Sequence, residues 1–271
     1  MKRAVLWAGA TLVALVVLAC LVSVAWLPTD PNTVGTPTLA PPSADHPLGT
    51  DNLGRDLAAR LLVGARSCLL VGVVAVSIGA VIGVPLGIIA GGSRGVAATV
   101  LMRGADIVYA FPALLLAILL AAARGHASTF TAMAAIGLST IPAFMRVTRS
   151  AAVDVLAQDY VMAARGAGFG LGHIALRHVL PNVAPVVLVQ SSSAFGVAIL
   201  AEASLSYLGL GTPPTTPSWG RMIYEAQSFV YSDIQLAALP GICIAAAVLG
   251  FNLLGDGLRD LLDPTLREIT R

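Results

Sequence analysis

Reactive side chains are few in this chain, and none of them is grouped for catalysis. The histidines are His46, His126, His173 and His178, and the cysteines are Cys20, Cys68 and Cys243. A serine nucleophile activated by histidine needs the two side chains within hydrogen-bond reach. No predicted membrane span contains a histidine that could meet Ser191, Ser192 or Ser193. The cysteines lie far apart in apolar segments, without metal-site spacing, and read as buried thiols. Lys2 is the only lysine, so a phosphate-binding loop of the Gly-x-x-x-x-Gly-Lys-Ser/Thr type cannot form. The chain is expected to catalyse nothing and to hold no cofactor or metal. Any ATP and Mg²⁺ must then sit in partner ATPase subunits.

The chemistry left is binding, and it concentrates in residues 158–181, a polar, Arg- and His-bearing island in an apolar chain. Tyr160 to Arg165 suits the start of a short helix, with Ala163 and Ala164 on its surface. Gly166, Gly168, Gly170 and Gly172 break it, and residues 171–179 can resume as a second short helix that Pro181 ends. Small residues let a partner's surface come close, and the arginines and histidines supply polar anchors. Composition alone fits an ordinary cytoplasmic loop equally well.

The elements around this island are membrane helices. The chain is 57% hydrophobic and 11% charged, with a mean hydropathy of +0.86, whereas soluble domains carry about 25% charged residues. A net charge of +2, with the positive residues scattered along the chain, is too small to imply nucleic acid, and none is expected as a partner. Six spans are predicted, at 4–27, 68–91, 107–123, 129–144, 183–201 and 236–254, each near the length needed to cross a hydrocarbon core. The residues before Cys20 resemble a lipoprotein cleavage box. The apolar run continues to Leu27, however, beyond the roughly 7–15 residues of a signal core, so the first span is read as retained.

Positive charge orients the spans. Lys2, Arg3, Arg94, Arg103, Arg146, Arg149, Arg165, Arg177, Arg259, Arg267 and Arg271 fall inside, against Arg55, Arg60, Arg66, Arg124 and Arg221 outside. Both termini are therefore placed in the cytoplasm. The outer basic cluster lies in residues 51–66, where Leu53, Leu57 and Leu61 recur every fourth residue and Asp56 and Arg60 stand at i,i+4. That pattern predicts an amphipathic helix in the membrane interface, meeting lipid headgroups. A Pro- and Thr-rich linker (28–47) precedes it. Gly79, Gly83, Gly87 and Gly91 form a small-residue ridge on the second span, where another helix can approach closely, and Pro85 suggests a kink. Residues 207–220 read as a loop, and Trp219, Met222, Ile223, Ala226, Phe229 and Val230 as a short amphipathic helix on the outer face.

The island resembles the coupling loop of ABC importer permeases, the pattern Glu-Ala-Ala, three residues, Gly, nine residues, Ile-x-Leu-Pro. Ala163, Ala164, Gly168, Leu180 and Pro181 match, while Met162 stands at the Glu position and His178 at the Ile position. These departures are similar to the dipeptide/oligopeptide/nickel branch, in which Arg-His-x-Leu-Pro-Asn is usual, as at 177–182. Four further segments match that branch in order: 46–56 (His-Pro-Leu-Gly-Thr-Asp-Asn-Leu-Gly-Arg-Asp), 200–211, 217–220 (Pro-Ser-Trp-Gly) and 251–260. The first of them resembles the C-type permease of a heterodimeric pair.

The resemblance implies an all-α membrane protein with the type I (MetI-like) importer core. It divides the chain into a first helix, linker and interfacial helix (1–66), a permease domain (67–258) and a cytoplasmic tail (259–271). It assigns Tyr160, Val161, Ala163, Ala164, Arg165, Gly168, His173, Ile174, Arg177, His178, Leu180 and Pro181 to coupling with the ATPases. The implied partners are a homologous B-type permease, two ATPase subunits or a fused one, an extracytoplasmic substrate-binding protein and membrane lipid. The implied setting is the bacterial inner membrane, and the implied cargo short peptides. Nickel chelates, haem and glutathione are carried by similar permeases.

Ser191, Ser192, Ser193 and Glu202 carry two readings. They could line the translocation path, or the hydroxyls could bond carbonyls one turn back while Glu202 sits at the outer interface, within reach of Arg221. A secondary transporter driven by an ion gradient would place ionisable residues within its spans, and the six spans as drawn contain none. An assembly scaffold, dispensable for transport, is the third class.

Overall fold

A computed structural model describes residues 2–35, 37–93 and 95–262. The end of the predicted cytoplasmic tail, with Arg267 and Arg271, lies outside the described residues, as does Arg94. The helices run α1 (Lys2–Ala25), α2 (Leu57–Gly92), α3 (Val96–Ala110), α4 (Ala113–Arg124), α5 (Thr129–Leu156), α6 (Asp159–Gly166), α7 (Leu171–Ile174), α8 (Leu180–Tyr207), α9 (Trp219–Ala226) and α10 (Gln235–Leu262). A π-helical turn, Ala175–Val179, joins α7 to α8. Among the described residues there is no strand, only an isolated bridge between Thr50 and Asp56.

Five helical runs are long and apolar enough to cross a membrane, and the sixth crossing exists only if α3 and α4 count as one broken span. The predicted single spanning helix at 107–123 is therefore corrected. α3 and α4 meet at 84°, because Pro112 disfavours helical backbone at the residue before it and Phe111 is extended (φ −90°, ψ 115°). Arg146 fixes α3 against α5, donating to Asp106 at 2.8 Å with its guanidinium 4.4 Å from the Tyr109 ring centre.

The predicted interfacial helix at 51–66 is also corrected. Helix begins only at Leu57 and continues through Pro85 as one 36-residue rod. Leu57 and Leu61 pack into a core with Trp219, Met222, Ile244 and Phe251 rather than against lipid. Asp56 does not face Arg60. It caps α2, accepting from the Ala59 N–H at 2.7 Å, and also meets His46 Nδ1 at 2.8 Å.

α5 outruns its predicted end at 144 and, at about 42 Å, exceeds the roughly 30 Å hydrocarbon core. It carries Arg146, Arg149 and Asp154, and α8 carries Glu202. The spans are thus not free of ionisable residues. The apolar run that extends through α8 begins at Leu171 and so includes His173 and His178. Cys68 is buried as expected, whereas Cys20 and Cys243 are only partly so.

The glycine ridge on α2 meets α5. A Cβ on Gly83 would lie 2.7 Å from the Ile141 carbonyl oxygen, and one on Gly87 2.7 Å from that of Met145. Gly79 meets Thr140 and Phe144, and Gly91 meets Ala152. A second seam joins α1 to α10, with Gly9 against the Leu253–Leu254 backbone and Gly250 and Gly257 against Leu12 and Leu6.

Gly83→Leu should force α5 away from α2 and destabilise the protein by about 1–3 kcal/mol or more, read as a lower thermal midpoint in detergent. Gly104→Ala, on an open stretch of α3, should leave the midpoint unchanged or raise it slightly, since alanine is the better helix former.

Candidate functional site

The island at 158–181 folds as a knob at the end of α5. Helix α5 stops at Ala157, Gln158 is extended, and α6 starts at once with Asp159 in its first turn and Arg165 in its last. Both charges oppose the helix dipole favourably. Gly168 has φ +85°, a left-handed conformation that glycine adopts without the Cβ penalty. The turn is closed by Gly168 N–H donating to the Arg165 carbonyl at 3.0 Å and Phe169 N–H to that of Ala164 at 3.2 Å.

The second arm departs from expectation. Pro181 does not end it, and α7 runs through the π-turn directly into α8. Proline lacks an N–H and crowds the carbonyl four residues back, and a π-turn relieves both. Leu180 N–H accordingly bonds the Ala175 carbonyl, and the Asn182 side chain donates to the carbonyl of His178 at 2.6 Å.

The twelve predicted coupling residues divide by burial. Val161 and Ile174 are buried together with Ala152, Val179 and Val183, against Ile88, Leu156 and Val187. Val161 and Ile174, at 0% and 1% exposure, cannot touch a partner and instead bolt the knob to α2, α5 and α8. Tyr160, Ala163, Arg165, Gly168, His173, Arg177, Leu180 and Pro181 are exposed, and Ala164 and His178 partly so. A row of rings stiffens the surface between the arms: Phe169 stacks on His173 at 4.6 Å, and His178 lies 6.2 Å from His173 and 5.8 Å from Tyr160. Met162, Phe169, Leu171 and Leu176 are exposed apolar residues that the sequence reading did not select. Their signal was available, as large apolar side chains in a stretch too polar to span.

At the opposite end of α2 lies a largely buried cluster of charges. Arg55 Nε donates to Asp51 at 2.7 Å, and the Arg55 and Arg60 guanidiniums donate to Glu225 Oε2 at 2.6 and 2.8 Å. Arg60 also donates to Asp51, and Arg221 reaches Glu225 Oε1 at 3.1 Å. Arg55 and Arg60, expected to meet headgroups, are therefore buried. Burial pushes the Glu225 carboxyl up, but Arg60 and Arg55, with the hydrogen bonds from Arg221 and Arg60, outweigh it and hold it below the usual glutamate value. Trp219 Nε1 donating to the Leu61 carbonyl at 3.0 Å, and Ser67 to that of Pro217 at 3.0 Å, complete the junction of α9 with α2.

On α8, Ser191 and Ser192 bond the carbonyls of Val187 and Leu188, one turn back, at 2.8 and 3.3 Å, and Ser193 is half-buried. Glu202 does not pair with Arg221. It is 2% exposed and accepts from Ser206 at 2.6 Å, in a chain of hydroxyls that continues through Thr212 to Ser218, the cap of α9. In this conformation Glu202 faces the fold's interior, not an open path.

This arrangement is the type I ABC importer permease fold. It matches a chain of the inward-facing MetNI methionine ABC transporter with a TM-score of 0.61, covering 78% of this chain and 96% of that one at 17% identity. Residues 83–268 match the family model described as "Binding-protein-dependent transport system inner membrane component", and the chain belongs to that family. The "Di/tripeptide transport system permease protein DppC" of Pseudomonas aeruginosa is 41% identical over 96% of this chain and 88% of its own length. The "Dipeptide transport system permease protein DppC" of Escherichia coli K12 is 44% identical over 85% and 78%. The "Probable D,D-dipeptide transport system permease protein DdpC" of the same strain is 40% identical over 88% and 80%.

Because Glu225 titrates below its unfolded value, the stability it contributes is present above the ordinary value of 4.5 and is lost as pH falls through the depressed folded value. The thermal midpoint of the wild type should therefore drop progressively on acidification below 4.5. Glu225→Gln should begin less stable, since it leaves Arg55 and Arg60 short of a counter-charge, and lose less over the same range.

Proposed function

We propose that this chain is the C-type permease subunit of an ATP-driven importer of short peptides, forming half of a translocation path with a homologous B-type permease. An extracytoplasmic binding protein delivers the peptide, and two ATPase subunits, or one fused chain, hydrolyse ATP with Mg²⁺. The chain itself hydrolyses nothing. Both termini and the knob lie in the cytoplasm, in keeping with Lys2 and Arg3 before the first span.

The observation that carries this reading is the knob. Its outer surface presents small residues, cations and exposed apolar side chains, while its inner surface is locked to three membrane helices. A soluble ATPase closing on such a surface would move those helices as one body. Peptide cargo draws its support from the relatives, whose names specify dipeptides and tripeptides. The ion-gradient alternative gains no comparable support, because Glu202 is enclosed by hydroxyls and Arg146 is already paired with Asp106.

In proteoliposomes holding the whole transporter, Gly168→Val should cut ATP-driven uptake of a radiolabelled dipeptide about tenfold or more, since it strains the turn at positive φ. Ala163→Glu should do the same by putting a carboxylate on the contact face. Uptake that persists in both variants, or a wild-type chain that retains no ATPase in pull-down, would refute the coupling role.

A further inference from the structure

A cleft of about 430 Å³ opens between the inner parts of α5, α8 and α10, within the roughly 300–1,000 Å³ typical of small-molecule sites. Its walls are apolar, Val147, Val186, Val189 and Leu262 among them, and two polar side chains enter it, Gln190 and Arg259. Neither is used elsewhere: among the described residues, Gln190 makes no side-chain hydrogen bond and Arg259 no ion pair.

Position decides what such a pair can face. Gln190 is ten residues beyond Leu180, the first residue of α8, and so about 15 Å along the helix. At that depth an amide turned to lipid would be left without a partner, a cost that polar groups in membranes avoid by facing water-filled space. Arg259, in the last turn of α10, offers a planar fork that matches a carboxylate. Among the described residues, the lining contains no acidic side chain.

We propose that this cleft is a subsite for the C-terminal end of a short peptide on its way through the membrane. Arg259 takes the terminal carboxylate, Gln190 pairs with the adjoining peptide amide, and the last side chain rests on the valines. This assignment rests on the peptide-importer reading and extends it. Among the described residues the cleft offers a cation for the carboxylate and no anion for the peptide's amino group, so it discriminates at the carboxylate end. An anionic phospholipid could place its phosphate on Arg259 and an acyl chain on the same wall, but it would leave the Gln190 amide stranded.

The test uses the complete transporter in proteoliposomes, with a photo-crosslinking amino acid in place of Val186 and radiolabelled Ala-Phe as the probe. The peptide should be captured during ATP-driven turnover. Arg259→Gln should reduce capture about tenfold, in line with loss of a charge-assisted hydrogen bond, and Arg259→Lys should restore part of it. Gln190→Leu should reduce capture about fivefold and carries the test if the Arg259→Gln complex fails to assemble. Peptide uptake with only phospholipid captured, or capture unchanged in Arg259→Gln and Gln190→Leu, would overturn the subsite while leaving the importer reading intact. A wild-type transporter that takes up no dipeptide would remove both.

Discussion

The contact of α2 with α5 is the constraint on which the rest of this structure depends. In lipid there is no hydrophobic gain from bringing two apolar helices together, so close packing has to hold them. Gly79, Gly83, Gly87 and Gly91 supply it. Gly83 and Gly87 stand against main-chain carbonyls rather than the ends of flexible side chains. Such a seam cannot slide by a change of rotamer, so the two helices shift together or not at all. Only Ala157 and Gln158 separate α5 from α6, and Val161, Ile174 and Val179 plug the knob onto Ile88 and Leu156. A displacement of the knob's surface therefore reaches α2 with little slack between.

The far end of the same rod is fixed by different chemistry. Asp51, Arg55, Arg60, Arg221 and Glu225 pair with one another in a largely buried cluster, where breaking one partner leaves a poorly compensated charge. They tie the segment before α2 and the short α9 to the rod's outer end, and Trp219 adds an indole hydrogen bond to the junction. α8 has a parallel construction, since it begins in the knob and ends at the hydroxyl chain around Glu202 that caps α9. Two long helices thus connect the knob to one platform at their far ends, the connectivity that the proposed alternating access would use.

Much of this was legible in the residues. A glycine every fourth position has few uses in a membrane helix other than close approach, and the ridge does meet a helix. The knob stood out because arginines and histidines inside an apolar chain need a reason to be there. What escaped was long-range or degenerate. Leu53, Leu57 and Leu61 show the same periodicity whether they face lipid or a core, and Glu225, which draws Arg60 inward, lies 165 residues away. The break at Phe111 vanished within a span judged by its average apolarity. Pro181 read as a stop because the π-turn that accommodates it leaves no mark in composition. Val161 and Ile174 lie beside and between the matching motif positions, and a motif does not say which of the residues around it point outward.

The central claim is that knob, α2 and α5 move as one body when the ATPases close. It is tested most directly by spin labels at Val81, on the exposed face of α2, and Leu176, on the exposed knob, in the fully assembled transporter. The distance between these labels should stay the same with and without ATP and Mg²⁺, while the distance from Leu176 to a label on the partner permease changes. A Val81–Leu176 distance that itself changes with nucleotide would mean that the knob hinges on the membrane helices, and would contradict rigid-body coupling.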